Sequence, residues 1–190
     1  MEKRKGDWLQ TFTGRVIWPL DPRPEEIHIK DIAGPLSKMV RFGGHGLRFL
    51  SVAEHSVLIK RATAKLKYGP RLQRQALFHD GSESIIVDVP RPIKPYLTNY
   101  KDIEHDIMLT VANKFEFEWP MHPNIKRLDD ACLAQEIAEN MRQAELAEQW
   151  RGKPTLSSMV GIRLEYWSPQ RAFDEFMREA RSICTPEMLA

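Results

Sequence analysis

Apolar residues recur at helical spacing along much of the chain, separated by stretches rich in proline and glycine. The first such pattern predicts a short helix at residues 31–41, followed by a glycine-rich turn at residues 43–46. Ser51 and Glu54 then match a capping box, in which the serine and glutamate side chains satisfy free amides at a helix start. This box predicts a second helix that ends near Tyr68.

A third helix is predicted to begin at Pro70 and to reach about Ser82, whereas residues 1–30 are predicted to be irregular. Three prolines in residues 84–98 exclude a long helix or a central strand there. Three later apolar stripes predict further helices. The first stripe is Ile103, Ile107, Met108, Val111 and Phe115, and the second, after Pro123, is Ile125, Leu128, Cys132, Ile137 and Met141. The third stripe follows Ser168 and Pro169 and consists of Phe173, Phe176, Ala180 and Ile183. Because no run shows a convincing strand alternation, the expected fold class is all-α.

Length and composition indicate an ordinary globular protein. A chain of 190 residues fits one domain with a buried core, and a net charge of +2 gives no footprint for a nucleic-acid polymer. No apolar run approaches the roughly 18 residues of a membrane span, and the amino terminus lacks the apolar core of a signal peptide. The two cysteines form no CxxC pair, which argues against a disulfide scaffold and a Cys-type zinc site. We therefore expect a cytoplasmic protein without membrane or nucleic-acid partners.

The most informative chemical signal is the adjacent pair His79 and Asp80 at the end of an apolar helical run. Helical phase places His55, His79 and Asp129 on the inward faces of three predicted helices, and it turns Asp130 about 100° toward solvent. Asp80 can reach the same space from beside His79. A divalent ion would remove the cost of burying such carboxylates. Imidazole and carboxylate ligands suit Zn²⁺, Mn²⁺, Co²⁺, Fe²⁺ or Mg²⁺.

A histidine, a later His-Asp doublet and a distant aspartate on successive helices resemble the HD-domain metal-dependent phosphohydrolases. The local context is similar to the 5′-deoxynucleotidases with an HDxxE signature and to their phage relatives, the deoxynucleoside triphosphate triphosphohydrolases. The segments that carry the resemblance span about half of the chain and are residues 51–56, 78–83, 88–94, 100–104 and 125–129. The resemblance implies an HD-domain helical bundle as a single domain of residues 1–190, with its metal-site core at about residues 31–150.

By this resemblance, His55, His79, Asp80 and Asp129 are the metal ligands, and the catalytic residues are Asp80 and Glu83. The Glu83 carboxylate would orient or deprotonate the attacking water, or protonate the leaving oxygen.

The resemblance also implies substrate-binding residues. Arg41 would hold a phosphate, and Phe42, where the family has tryptophan, would stack on the base or sugar. Lys94 and Lys126 would reach the phosphate chain, whose spreading charge needs cations. Asp88 would lie near the sugar hydroxyl.

The expected function is hydrolysis of the 5′-phosphate ester of a 2′-deoxynucleotide by a homo-oligomeric enzyme. A monophosphate would give phosphate and a triphosphate would give triphosphate, and the pair Lys94 and Lys126 slightly favours the latter. The alternative is a non-catalytic helical binding or regulatory module with a structural metal site, although such a site needs no additional inward carboxylate such as Glu83. A signalling phosphodiesterase is a third interpretation, but the glycine-tyrosine-proline signature of the cyclic-dinucleotide branch does not occur.

Overall fold

A computed structural model describes residues 3–142 and 163–190, which form an all-α bundle with a small β-hairpin, so the predicted fold class is confirmed. Residues 143–150 of the predicted metal-site core lie outside the described residues. In chain order the elements are β1 (Leu9–Gln10), β2 (Val16–Ile17), α1 (Ile29–Lys38), α2 (Val52–Lys65), α3 (Pro70–Phe78), α4 (Glu83–Ile86), α5 (Tyr100–Lys114), α6 (Pro123–Asn140), α7 (Pro169–Arg181) and α8 (Pro186–Leu189).

Helix α2 is central and packs against α1, α3, α6 and α7. It ends at Lys65, one turn before the predicted end, and it is buried on nearly all sides over its first nine residues. A helix enclosed in this way contributes to more than one part of the core. Val52 and Val57 join a cluster with α1, α3, α5 and α7, while Leu58 and Ile59 join a second cluster with α6. His55 therefore lies in the buried part of α2.

The start of α2 confirms half of the predicted capping box. The Ser51 hydroxyl accepts the Glu54 amide at 3.0 Å. The Glu54 carboxylate, however, accepts the amides of Glu165, Tyr166 and Trp167 at 2.7, 2.9 and 2.6 Å. The predicted return bond from Glu54 to the amide of Ser51 is therefore wrong. Glu54 instead anchors the segment that leads into α7, because three convergent amides satisfy a buried carboxylate better than one.

Helix α1 is shifted toward the amino terminus relative to the predicted residues 31–41. It ends at Lys38 because the chain then enters an antiparallel backbone bridge with the residues before α2. The Val52 amide donates to the Met39 carbonyl at 3.0 Å, and the Arg41 amide donates to the Leu50 carbonyl at 2.8 Å. The bridge fixes Arg41 beside the first turn of α2, close to His55.

Helix α3 ends at Phe78, not at the predicted Ser82. The following residues wind more tightly: the Gly81 amide donates to the Phe78 carbonyl at 2.8 Å, and the Glu83 amide donates to the Asp80 carbonyl at 3.0 Å. These three-residue bonds interrupt the α-helical pattern, and Glu83 begins the separate helix α4.

The amino-terminal region also differs from the irregular structure predicted for residues 1–30. Strands β1 and β2 pair antiparallel, with Leu9 opposite Ile17. Past β1, the Phe12 ring lies 6.0 Å from the Phe173 ring of α7. Two-residue strands carry too little alternation to be seen in a sequence, which explains why the hairpin was not predicted.

The helices in residues 3–142 and 163–190 do not have the combination of length and apolar character that crossing a bilayer requires. Helix α6 has 18 residues but includes two lysine or arginine residues and four acidic residues.

Candidate metal centre

His55 of α2 and His79, which follows α3, face each other with their Nε2 atoms 3.3 Å apart. Both side chains are buried. The His79 Nδ1 donates to the Ala76 carbonyl at 2.9 Å, and the His55 Nδ1 donates to a carboxylate oxygen of Glu136 at 2.6 Å. Because each Nδ1 is engaged by an acceptor, Nε2 is the atom of each ring that could bind a metal ion.

Two carboxylates complete the cluster. Oδ2 of Asp80 lies 3.3 Å from the His79 Nε2 and 3.7 Å from the His55 Nε2. Oδ1 of Asp129, from α6, lies 3.2 Å from the His55 Nε2 and 3.9 Å from the His79 Nε2. The structure thus brings together the four residues that the sequence singled out as metal ligands.

These distances fit a small divalent cation. Bonds of about 2.0–2.1 Å to a tetrahedral ion place ligand atoms about 3.3 Å apart. The Nε2 atoms of His55 and His79 and Oδ2 of Asp80 lie 3.3–3.7 Å from one another and form a group that could hold an ion. Oδ1 of Asp129 lies 3.2 and 3.9 Å from the two Nε2 atoms. The ligand set of two imidazoles and two carboxylates also suits Zn²⁺, Mn²⁺, Co²⁺ or Fe²⁺. The outer hydrogen bonds of both Nδ1 atoms already fix which nitrogen of each histidine ring faces the cluster.

A second group of potential ligands, His55, Cys132 and Glu136, lies on the other side of the His55 ring. Here the His55 Nδ1 and Glu136 are only 2.6 Å apart, which is a hydrogen bond and leaves no room for an ion between them. The Cys132 thiol also contacts Glu136, at 3.6 Å, and burial raises its pKa to about 11. This group is therefore a hydrogen-bonded support of His55.

Glu136 is the site residue that the sequence analysis missed. It is fully buried, and its second oxygen accepts from Nη2 and Nε of Arg41 at 3.0 and 3.2 Å. A signal was present, because Glu136 lies seven residues after Asp129 and so shares its face of α6. Burial raises the pKa of Glu136, but the charges of Arg41 and His55 outweigh it and hold the pKa below its usual value.

The cluster's charges are mutually stabilised. Burial raises the pKa of Asp80, but His79, His55 and Arg41 outweigh it and hold the carboxyl ionised. The pKa of Asp129 is likewise well below its ordinary value, because hydrogen bonding and charge from His55 and His79 exceed the effect of burial. Burial and Arg41 lower the pKa of His55, yet Glu136 and the other anions raise it well above its usual range. In the absence of a metal, His55 therefore holds a proton that a cation would replace.

Glu83 has a different environment from these carboxylates. It is buried beside Asp80, and within the described part of the chain its Oε2 has no hydrogen-bond partner. Burial and the negative charges of Asp80 and Asp88 raise its pKa well above the ordinary value, although Arg41 and Lys94 oppose the shift. A buried carboxyl that holds its proton near an ionised cluster can act as an acid or a base.

Arg41 and Phe42 lie at one wall of the cluster. The Arg41 guanidinium lies 3.7 Å from Asp80 through Nη1, in addition to its bonds with Glu136. Phe42 has φ 58° and ψ 26°, a left-handed conformation that is uncommon for a residue with a large side chain. Its ring centre lies 5.6 Å from the Arg41 guanidinium, and the ring is partly exposed.

The two predicted phosphate-binding lysines are each paired with a different carboxylate. The Lys94 ammonium donates to Glu104 at 2.9 Å. Lys126 donates to Oδ2 of Asp129 at 3.0 Å and also contacts Asp130, whose carboxylate does not join the metal cluster.

Asp88, the predicted sugar-binding residue, lies in the loop after α4 and is partly exposed. Its charge acts on Glu83, which places it near the site.

Two curated proteins are similar to the chain. The uncharacterized protein YfdR of Escherichia coli (strain K12) is 33% identical over 129 residues, which are 68% of this chain and 70% of YfdR. The uncharacterized protein RCAP_rcc00048 of Rhodobacter capsulatus is 30% identical over 175 residues, which are 87% of this chain and 89% of that protein. No model of a known protein family matches the chain. On the extent of these similarities, the chain belongs to the same protein family as YfdR and RCAP_rcc00048.

Proposed function

We propose that the protein is a metal-dependent phosphohydrolase of the HD-domain type that cleaves the 5′-phosphate ester of 2′-deoxynucleotides. The observation that carries the proposal is Glu83, a buried carboxyl with a raised pKa whose Oε2 has no hydrogen-bond partner among residues 3–142 and 163–190, beside the cluster of His55, His79, Asp80 and Asp129. An ion held only for structure has no use for a further buried carboxyl, whose burial costs free energy.

The residues divide the chemistry between them. A divalent ion at the cluster, when bound, polarises a phosphoryl oxygen and lowers the pKa of a bound water. Glu83, whose raised pKa keeps it protonated, would give its proton to the 5′ oxygen as the bond between phosphorus and that oxygen breaks, and the proton released by the attacking water would restore the carboxyl. The outer hydrogen bonds of His55 and His79 keep both Nε2 atoms aimed at the ion.

The phosphate groups are bound by cations that surround the cluster. Arg41 lies 3.7 Å from Asp80, and Lys126 donates to Asp129, so both border the ligand set. The charge of Lys94 acts on Glu83, and its ammonium would leave Glu104 to bind a phosphate group. Three cations around one site favour a triphosphate substrate over a monophosphate. We also propose that the protein acts in the cytoplasm as a homo-oligomer. Light scattering of the purified protein would test the oligomeric state.

The experiment is product analysis by chromatography after incubation with each deoxy- and ribonucleoside mono- and triphosphate and Mn²⁺, Co²⁺ or Mg²⁺. We expect a deoxynucleoside together with triphosphate or phosphate. The matched control for Glu83→Gln is Glu118→Gln, which alters an exposed carboxylate. Absence of turnover with every metal, together with metal-dependent stabilisation of the fold, would favour the non-catalytic module instead.

A further inference from the structure

We infer that Glu136 is a positioning residue that keeps the Arg41 guanidinium off the metal ligand Asp80, and so keeps the cluster open to a cation. The inference rests on the metal centre of the proposed function. It adds a residue that touches neither ion nor nucleotide and that acts through Arg41.

The geometry of Arg41 is the first step. Two of its nitrogens, Nη2 and Nε, bind one oxygen of Glu136 at 3.0 and 3.2 Å, while Nη1 stands 3.7 Å from Oδ2 of Asp80. The guanidinium thus makes hydrogen bonds with Glu136 and stops short of one with Asp80. Both carboxylates attract the guanidinium, but it forms its hydrogen bonds with Glu136.

The burial of Glu136 explains why Arg41 pairs with it and not with Asp80. The Glu136 side chain is fully buried, while that of Asp80 is 19% exposed. An anion removed from water must be paired, so Arg41 cannot leave Glu136 without leaving a buried carboxylate that is balanced only by His55. The same carboxylate accepts the His55 Nδ1 at 2.6 Å, which anchors it on the opposite side.

Loss of the Glu136 charge would reverse this preference. With no anion to hold it, the Arg41 guanidinium has Asp80 as its nearest carboxylate, and a shift of less than 1 Å would make a hydrogen bond there. Arg41 would then compete with a divalent cation for a ligand oxygen. Metal affinity is therefore the quantity that Glu136 controls.

Glutamine is the informative substitution at this position. Glu136→Gln keeps a carbonyl oxygen that can accept the His55 Nδ1, but it removes the charge that holds Arg41. The test measures the affinity for Mn²⁺ by calorimetry at one pH, without nucleotide, in the wild type, Glu136→Gln, Arg41→Gln and the double variant. Glu139→Gln, an exposed change one turn further along α6, is the matched control.

We expect Glu136→Gln to lower Mn²⁺ affinity because the released Arg41 guanidinium would compete with the ion for Asp80. The expected loss is about tenfold or more, the order of effect that residues outside the ligand set have on metal affinity. Adding Arg41→Gln should restore the affinity to within about twofold of Arg41→Gln alone, which is the scatter of independent sites. A purely structural role of Glu136 would not be rescued by removing a second residue. Unchanged affinity in Glu136→Gln, or an equal loss in the double variant, would overturn the inference.

Arg41→Lys provides a second test if Glu136→Gln does not fold. Lysine keeps the charge but cannot bind Glu136 through two nitrogens, so its ammonium is freer to reach Asp80. We expect weaker Mn²⁺ binding than in the wild type, whereas equal binding would contradict the inference. A wild-type protein that binds no divalent ion would overturn both this inference and the proposed function, while normal metal binding that ignores Glu136 would overturn the inference alone.

Discussion

Oδ1 of Asp129 lies 3.2 Å from the His55 Nε2, so α6 and α2 each bring one potential metal ligand to the cluster. Oδ2 of the same carboxylate accepts the Lys126 ammonium at 3.0 Å, which fixes its orientation. Asp130, the next residue, also contacts the Lys126 ammonium, but its side chain is more exposed than that of Asp129 and lies outside the cluster. Two adjacent aspartates thus have different roles because of helical phase.

This difference predicts the outcome of a matched pair of substitutions. Asp129→Asn should abolish hydrolysis and lower Mn²⁺ affinity by more than about tenfold, since even the outer partners of metal ligands contribute that much. Asp130→Asn should leave both quantities within about twofold of the wild type, because it removes only a surface ion pair. Calorimetry and the nucleotide assay check both variants, and equal losses would refute the assignment of Asp129.

Helical phase in the sequence was sufficient to place three of the potential ligands, His55, His79 and Asp129, on inward faces, and Asp80 was expected to reach the same space from beside His79. Each of the three comes from a helix, or from the residue after one, whose apolar stripe is long enough to fix its rotation. The same rule applied to Asp129 would have found Glu136, seven residues later on that face. It was overlooked because a lone glutamate in a polar helix resembles a solvated charge until its partners, Arg41 and His55, are known.

The tertiary bonds could not be predicted in this way. The sequence correctly marks Ser51 as a cap, but the partners of Glu54 are amides more than a hundred residues away. The early end of α3 depends on how Gly81 packs against the Phe78 carbonyl and α5, which no local pattern encodes. The features that the sequence analysis did not predict thus depend on contacts between residues far apart in the chain.

Glu83→Gln should stabilise the metal-free protein at neutral pH while removing the proposed hydrolytic activity. Burial and the charges of Asp80 and Asp88 raise the pKa of Glu83 above its ordinary value of 4.5, so the unfolded chain releases this proton before the folded one does. Stability is therefore lost as the pH rises from 4.5 through the raised pKa.

Glutamine mimics the protonated form, so the variant should gain about 1–3 kcal/mol in the free energy of unfolding near pH 7 and almost nothing near pH 4. Urea unfolding at both pH values, with Glu118→Gln as the exposed control, measures the gain. A loss of stability at pH 7, or a pH-independent difference, would contradict the environment assigned to Glu83.

Divalent cations should stabilise the wild-type fold. Mn²⁺ or Co²⁺ at a hundred times its dissociation constant should add about 2.7 kcal/mol to the free energy of unfolding, and a chelator should reverse the gain. The ion must replace a proton on His55, whose pKa lies well above its usual range, so the stabilisation should shrink as the solution is acidified. Thermal unfolding with and without metal tests this expectation, and the same gain in Asp129→Asn would place the ion elsewhere.

Gly81 links the backbone of the site to the core, and its replacement should disturb the metal centre. A Cβ at this position would lie 2.9 Å from the Phe78 carbonyl oxygen and 3.2 Å from a methyl group of Val111. The backbone oxygen cannot rotate away as a flexible side chain would, so Gly81→Ala must displace the turn that carries Asp80 and Glu83.

Gly69, before α3, is the matched control, since a Cβ there meets no atom within 4 Å. We expect Gly81→Ala to lower the free energy of unfolding by about 1–3 kcal/mol and to weaken Mn²⁺ binding, with Gly69→Ala neutral in both measurements. Normal metal affinity in a destabilised Gly81→Ala protein would show that the turn can shift without moving Asp80.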